Sequence, residues 1–217
     1  MSPMPPSCCK PDYDAQFDEK GAREDLLTYR RDGPDGSTKR LIDALRREGV
    51  EGATLLDIGG GVGVIQLELL AAGAASSLDV DASSAFLAAA EQEADARGFR
   101  DRVAYRYGDF VDLADEVEAA DIVTLDRVIC CYPDVRALVG RSIARARRLY
   151  GLVYPVDRWW TRAVSRLGNA ILRLFRSDFR IHVHAEAVVE QLVRGAGFER
   201  RYRHAGWVWQ TVVYARA

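Results

Sequence analysis

Between residues 53 and 155 the chain switches repeatedly between two periodicities, and that alternation restricts its fold more than any other feature. "ATLLDI" (53–58) is a short apolar run, and "GVIQLELLAAG" (63–73) has helical spacing that stops at Gly73. "SSLDV" (76–80) reads as a second strand, followed by "SSAFLAAAEQEADARG" (83–98), an alanine-rich helix closed by Gly98. "VAYRYGD" (103–109) and "ADIVTLD" (120–126) are two further strands. "VRALVGRSIARARR" (135–148) is a helix leading into the strand "LYGLVYP" (149–155). Strands separated by helices of ten or more residues pair in parallel, with helices on both faces of the sheet. After a pause come a helix, "AEAVVEQLVRGAG" (185–197), and two closing strands, "RRYRHA" (200–205) and "WVWQTVVYARA" (207–217). Only Gly206 separates those two, too little for a crossover, so they form an antiparallel pair. The expectation is a doubly wound α/β fold: a mostly parallel seven-stranded sheet whose last strand is antiparallel.

The flanks suggest a division of the chain. Residues 1–12, with four prolines, are expected to be disordered. Residues 13–48 are expected to form a helical cap, broken at "RDGPDGST" (31–38), with Ser37 or Thr38 capping the second helix. Residues 49–217 would then be one cofactor-binding domain, with a helical insertion at about 157–180.

The turn after the first strand, "DIGGGVG", has four glycines in five positions, as expected where backbone must approach a ligand closely. Gly59, Gly61 and Gly63 give G-x-G-x-G, whereas nicotinamide dinucleotide folds use G-x-G-x-x-G; Val64 stands where their third glycine would be. Asp57 precedes the loop. A carboxylate there repels a pyrophosphate and suits a ligand bearing an ammonium group. That combination favours S-adenosylmethionine over a dinucleotide.

From "LLDIGGGVG" to the closing strands, roughly residues 50–217, the chain resembles the class I S-adenosylmethionine-dependent methyltransferases. The resemblance implies a Rossmann-like enzyme with that cofactor, S-adenosylhomocysteine as product and no metal. It also assigns residues. Asp57, Gly59, Gly61 and Gly63 form the first motif. Asp81, followed by Ala82, takes the ribose hydroxyls, with Asp79 as runner-up. Asp109 and Phe110 of "YGDF" receive the adenine, and Asp126 and Arg127 lie under the methionine moiety. The stretch from Cys130 to Asp134 would face the substrate. The early helices, the loop ending in Tyr-Pro and the closing half are also loosely similar to the magnesium-protoporphyrin methyltransferases.

The acceptor is read as a small molecule, methylated on oxygen or nitrogen. "DRVICCYP" (126–133) is not the D/N-P-P-Y loop used on base amines, and neither a Pro-Cys nucleophile nor the paired-glutamate loop of arginine methyltransferases is present. With 30 basic and 32 acidic residues, a net charge of −2, the chain lacks the basic excess of a nucleic-acid binder. No signal pattern precedes the fold, so cytoplasm is the default. The cysteines fall in adjacent pairs, Cys8-Cys9 and Cys130-Cys131, a spacing that suits neither a disulfide scaffold nor a zinc site.

Candidate bases are His182, Tyr132 and Asp134. Tyr13, Phe17 and Tyr29 on the cap, with Cys131, Tyr132 and Trp160, are candidates for walling in the substrate; their alternative role is core packing. His182 and His184 alternate in "RIHVHAE" as a base, a metal edge or ordinary surface histidines. On the insertion, Arg158, Arg162, Arg166, Arg173 and Arg176 fall within an arc of about 80° at helical spacing, opposite Trp160, Val164, Leu167, Ile171, Leu174 and Phe175. Such a helix either covers the sheet with a solvated arginine face or forms a lid that touches a membrane surface. A catalytically inactive cofactor-binding partner protein is the rival to an enzyme.

Overall fold

The computed structural model describes residues 13–217. The expectation of disorder for residues 1–12, and the Cys8-Cys9 pair, lie outside the described residues. The cap is made of α1 (Tyr13–Gln16), α2 (Glu19–Asp32) and α3 (Gly36–Arg47). Next come β1 (Thr54–Ile58), α4 (Val64–Ala71), β2 (Ser76–Asp81), α5 (Ser84–Ala96), β3 (Val103–Tyr107), α6 (Phe110–Leu113) and β4 (Ala120–Asp126). The closing half is α7 (Val135–Ile143), β5 (Ala146–Pro155), α8 (Trp159–Leu174), α9 (Glu186–Gly195), β6 (Phe198–Ala205) and β7 (Trp209–Arg216).

All seven strands join one sheet in the order β3-β2-β1-β4-β5-β7-β6. β1 pairs in parallel with both β2 and β4, and β7 runs antiparallel to both β5 and β6. Side chains alternate across the sheet as the pleat requires. Leu55, Ile122, Leu149 and Val213 enter the core under α2–α5, while their neighbours Leu56, Val123, Tyr150 and Val212 enter the core under α6, α7 and α9. Central strands buried on both faces read as continuous apolar runs, as "TLLDI" and "LYGLVYP" do. After β1 the chain turns towards β2, and after β3 it returns across to β4. The reversal opens a crevice at the carboxyl ends of β1 and β4, the usual ligand position in open α/β sheets.

Three local expectations change. The N-cap of α3 is Asp35, whose carboxylate accepts from Ser37 N at 2.8 Å and Thr38 N at 3.2 Å. A carboxylate two residues upstream reaches the open amides, leaving the Thr38 hydroxyl for another use. α7 stops at Ile143, because Ala146 is already paired with Ala120 of β4 and the Arg147 carbonyl accepts from Arg216. Helical propensity in "ARARR" thus yields to strand pairing. β7 begins at Trp209, not Trp207, so Gly206–Val208 form the turn and Trp207 stands 79% exposed at its tip.

α3 is pressed onto the sheet at Gly151 of β5, where a Cβ would lie 2.8 Å from Leu41 Cδ1. Thr211 of β7 also donates to the Ser37 carbonyl at 3.1 Å. These contacts carry the N-terminus of α3 to the crevice.

Candidate functional site

The carboxyl ends of β1, β2 and β4, the cap and α8 enclose one cavity of about 910 Å³. Its floor is the loop after β1. Gly59 has φ of 65°, and a Cβ there would meet Val128 Cγ2 at 2.5 Å; one on Gly60 would meet Asp79 Oδ1 at 2.6 Å. Only a chain without side chains passes here, because the loop is squeezed between the post-β4 segment and a buried carboxylate. Asp79 is fully buried, accepts from Gly60 N at 3.3 Å and Gln66 Nε2 at 2.9 Å, and does not line the cavity. Its position is that of a loop anchor.

Asp57 and Asp81 do line the cavity. Asp81 accepts from Gly61 N at 3.1 Å through one oxygen and from Ser83 N at 2.8 Å through the other. A carboxylate so placed at the cavity wall can also accept from a pair of vicinal hydroxyls. Asp57 is 1% exposed; its Oδ1 accepts from Thr124 Oγ1 at 2.6 Å, and its Oδ2 has no hydrogen-bond partner. Burial pushes this carboxyl up to about 7, opposed by the Thr124 hydrogen bond and reinforced by nearby Asp81. A buried carboxylate with an unmatched oxygen calls for a cation.

Asp126, at the end of β4, is likewise pushed up to about 7 by burial, against a 2.5 Å hydrogen bond from Thr38. Its neighbour Arg127 has φ of 62°, a left-handed conformation that a non-glycine residue adopts at a cost of roughly 1–2 kcal/mol. The strain is held by an ion pair with Asp35, a 3.1 Å bond to Thr38 Oγ1 and the Trp209 ring 5.6 Å away. Arg127 Nε lies 3.4 Å from Asp126 Oδ1, close enough for attraction but without hydrogen-bond geometry. Asp25, Asp35 and Thr38 also line the cavity and were not expected there from sequence; the sequence suggests Thr38 only as a candidate N-cap, the role that Asp35 takes.

The remaining expected site residues separate. Gly59, Gly61, Ala82, Asp109, Phe110, Cys131, Tyr132, Tyr13, Phe17, Tyr29 and Trp160 all border the cavity. Gly63 does not; it caps α4 in a left-handed conformation. Tyr29 commits its hydroxyl to Glu68 at 3.0 Å and receives Arg97 at 2.8 Å, tying the cap to α4 and α5. Tyr13 donates to the Cys131 carbonyl, and the Phe17 ring meets Phe86 and Phe179 edge-on. Asp109 caps α6 and accepts from Tyr132 Oη at 3.2 Å. Burial first, and then Asp109, raise the Tyr132 phenol above its ordinary value, which makes it a poor proton acceptor.

His182 and Asp134 are absent from the cavity lining. Asp134 caps α7 by accepting from Ala137 N at 3.0 Å. His182 and His184 lie in irregular chain, not a strand, with their rings stacked 5.6 Å apart. His182 N donates to Cys130 O, and His184 Nε2 lies 2.9 Å from Tyr132 O. The pair pins the segment after α8 to the post-β4 loop. Among the described residues, no group of three or more His, Cys, Asp and Glu side chains is placed to hold a metal ion.

The acids at either end of the glycine loop, the bare backbone between them and the unmatched Asp57 oxygen fit S-adenosylmethionine, whose tail carries an ammonium and whose ribose carries vicinal hydroxyls. Residues 56–154 match the family described as "Methyltransferase domain". No curated protein matches the sequence. Among solved structures, magnesium protoporphyrin IX methyltransferase from Synechocystis PCC 6803 with bound S-adenosylhomocysteine superposes with a TM-score of 0.72 at 18% identity, over 94% of this chain and 98% of that one. An O-methyltransferase family protein from Burkholderia thailandensis gives 0.70 at 17% identity, over 93% of this chain and 61% of that one. A complex of the Haloferax volcanii Trm112 methyltransferase activator with a methyltransferase gives 0.66 at 15% identity, over 94% and 95%. Residues 56–154 thus match a methyltransferase domain, and the chain as a whole has the fold of the S-adenosylmethionine-dependent methyltransferases.

Proposed function

We propose that this protein methylates an oxygen or nitrogen of a small, acidic or lipophilic molecule. The observation that carries this reading is the division of the cavity. Its sheet end is lined by Asp57, Asp81 and Asp126, while α8 and the β6–β7 turn line it with Trp160, Val164 and Trp207. The acidic end suits a cationic cofactor and the apolar wall a small organic acceptor.

In this reading the Asp57 carboxylate receives the ammonium, Asp81 the ribose hydroxyls, and Ala82, Asp109 and Phe110 border the adenine. Asp126 and Arg127 lie under the methionine chain, with Thr38 holding both. When bound, S-adenosylmethionine supplies an electrophilic methyl group on a sulfonium. The chain's own part is to orient the acceptor against it and to exclude water, which contributes most where no covalent help is needed. His182 and Asp134 do not border the cavity, and the Tyr132 proton is held by Asp109. The residues therefore favour an acceptor that brings its own electron pair, a carboxylate or an amine, over one needing a strong base.

Calorimetric titration with S-adenosylhomocysteine tests the cofactor half. Wild type should bind, and Asp81→Ala should lose about 1.5–3 kcal/mol, the worth of hydrogen bonds to a charged group. Absence of binding to folded wild type would sink the reading. Binding without transfer to any acidic or amine acceptor would favour a partner-dependent enzyme, a possibility raised by the Haloferax complex.

A further inference from the structure

Helix α8 leaves both halves of its amphipathic surface outside. It is fastened to the molecule along a narrow edge of small and polar residues. Thr161 donates to the Val156 carbonyl at 2.6 Å, and Asn169 exchanges two 2.8 Å hydrogen bonds with the main chain of Ile181. At about 100° per residue that edge lies roughly opposite the apolar strip. The strip is therefore turned to solvent: Trp159, Val164, Leu167, Ile171, Leu174 and Phe175 are 49–80% exposed. The β6–β7 turn extends it through Trp207, whose carbonyl accepts from Trp160 Nε1 at 3.1 Å. A helix that simply covered the sheet would have buried this strip instead.

The flank of the strip is basic. Arg158, Arg162, Arg166, Arg173 and Arg176 are all exposed, and residues 158–177 contain no acid. Asp157, at the start, is already paired with Arg162 at 2.7 Å. Pairing of the strip with a second copy about a two-fold axis would bring two arginine rows together with no acid to offset them. An anionic bilayer matches both features: interfacial depth for tryptophan, leucine and phenylalanine, and negative headgroups for the arginines. No helix among the described residues is long and apolar enough to cross a membrane, so the contact would be peripheral.

We propose that α8 and the β6–β7 turn dock this protein on an anionic lipid surface with the cavity mouth towards the lipid. Trp160, Val164, Gly168 and Trp207 line the cavity from this face, so an acceptor dissolved in the bilayer enters without crossing water. That last consequence rests on the methyl-transfer reading of the cavity; the docking itself does not.

The test is co-sedimentation with vesicles of phosphatidylcholine alone and of an equimolar phosphatidylcholine–phosphatidylglycerol mixture. Wild type should pellet with the mixture, stay in solution with phosphatidylcholine, and be released by high salt. None of the residues changed in the double variants Leu174→Ser/Phe175→Ser and Arg166→Glu/Arg173→Glu lines the cavity. Each should weaken vesicle binding by on the order of tenfold or more, with S-adenosylhomocysteine binding unchanged. Docking is overturned if folded, ligand-binding wild type stays in solution with the anionic vesicles at low salt. It is equally overturned if the apolar double variant pellets like wild type. A dimer in gel filtration that the same variant converts to a monomer, without vesicle binding, would assign the strip to a second copy. Vesicle binding without S-adenosylhomocysteine binding would support the docking and strike only the methyl-transfer reading.

Discussion

The sheet-end wall of the cavity and the α8 wall differ in how much of the molecule holds them. Asp57, Asp79, Asp81 and Asp126 stand at or near the carboxyl ends of strands paired on both sides, and each accepts a hydrogen bond from a loop, the cap or the neighbouring strand. α8 rests on a few polar contacts along one edge, with its large apolar side chains in solvent. The first wall is built to hold charges in a low-dielectric place, where position decides energy. The second keeps a sticky surface available, which requires that the fold not use it.

The sharpest way to break that contrast is to remove the same kind of side chain from each region. Leu41→Ala, at a fully buried site between α3 and Gly151, should cost about 2–5 kcal/mol in chemical denaturation. It should also loosen Asp35 and Thr38, which α3 carries to Asp126 and Arg127. Next in size is Gly59→Ala. Its added methyl sits at positive φ and 2.5 Å from Val128, so roughly 1–3 kcal/mol of overpacking is expected, with weakened S-adenosylhomocysteine titration.

Proton linkage gives a smaller, signed effect. Asp57 and Asp126 are pushed up to about 7 when folded, above the ordinary value of 3.8. Between those values the native state holds more protons than the unfolded chain, so stability falls as pH rises through the window. The ligand-free protein should melt a few degrees higher at about pH 5.5 than at about pH 8. Affinity for S-adenosylhomocysteine should move oppositely, because its ammonium favours ionised Asp57; Asp57→Asn should flatten that dependence. A pH-independent affinity in wild type would remove Asp57 from the cation site. The smallest effect is at α8: Leu174→Ser should change stability by no more than about 0.5 kcal/mol, since the side chain is 80% exposed.

Much of the sheet-end wall was legible in the sequence because local patterns encode it. "TLLDIGGGVG" needs buried strand, tight loop and helix in that order, and Asp81 and Asp109 close their strands within a residue or two. The structure differs where a stronger local competitor or a long-range partner overrode the expected one. Asp35 took the cap expected of Ser37 or Thr38, and strand pairing claimed "ARARR" from a helix. His182 and Asp134 have the chemistry of a base, but only the packing of the post-β4 loop decides that they point elsewhere.

The sequence by itself determined the alternating α/β order, the glycine loop and the identity of the acids beside it, since periodicity and backbone sterics act over a few residues. Amphipathicity on the 158–176 helix was equally plain, yet its pattern is the same whether the apolar side faces the core or the solvent. Tertiary structure decided that question by fastening α8 through Thr161 and Asn169, which leaves the apolar strip turned to solvent. It also decided which charges meet: Thr38, Asp35, Asp126 and Arg127 are about ninety positions apart in sequence and adjacent only because α3 packs on β5.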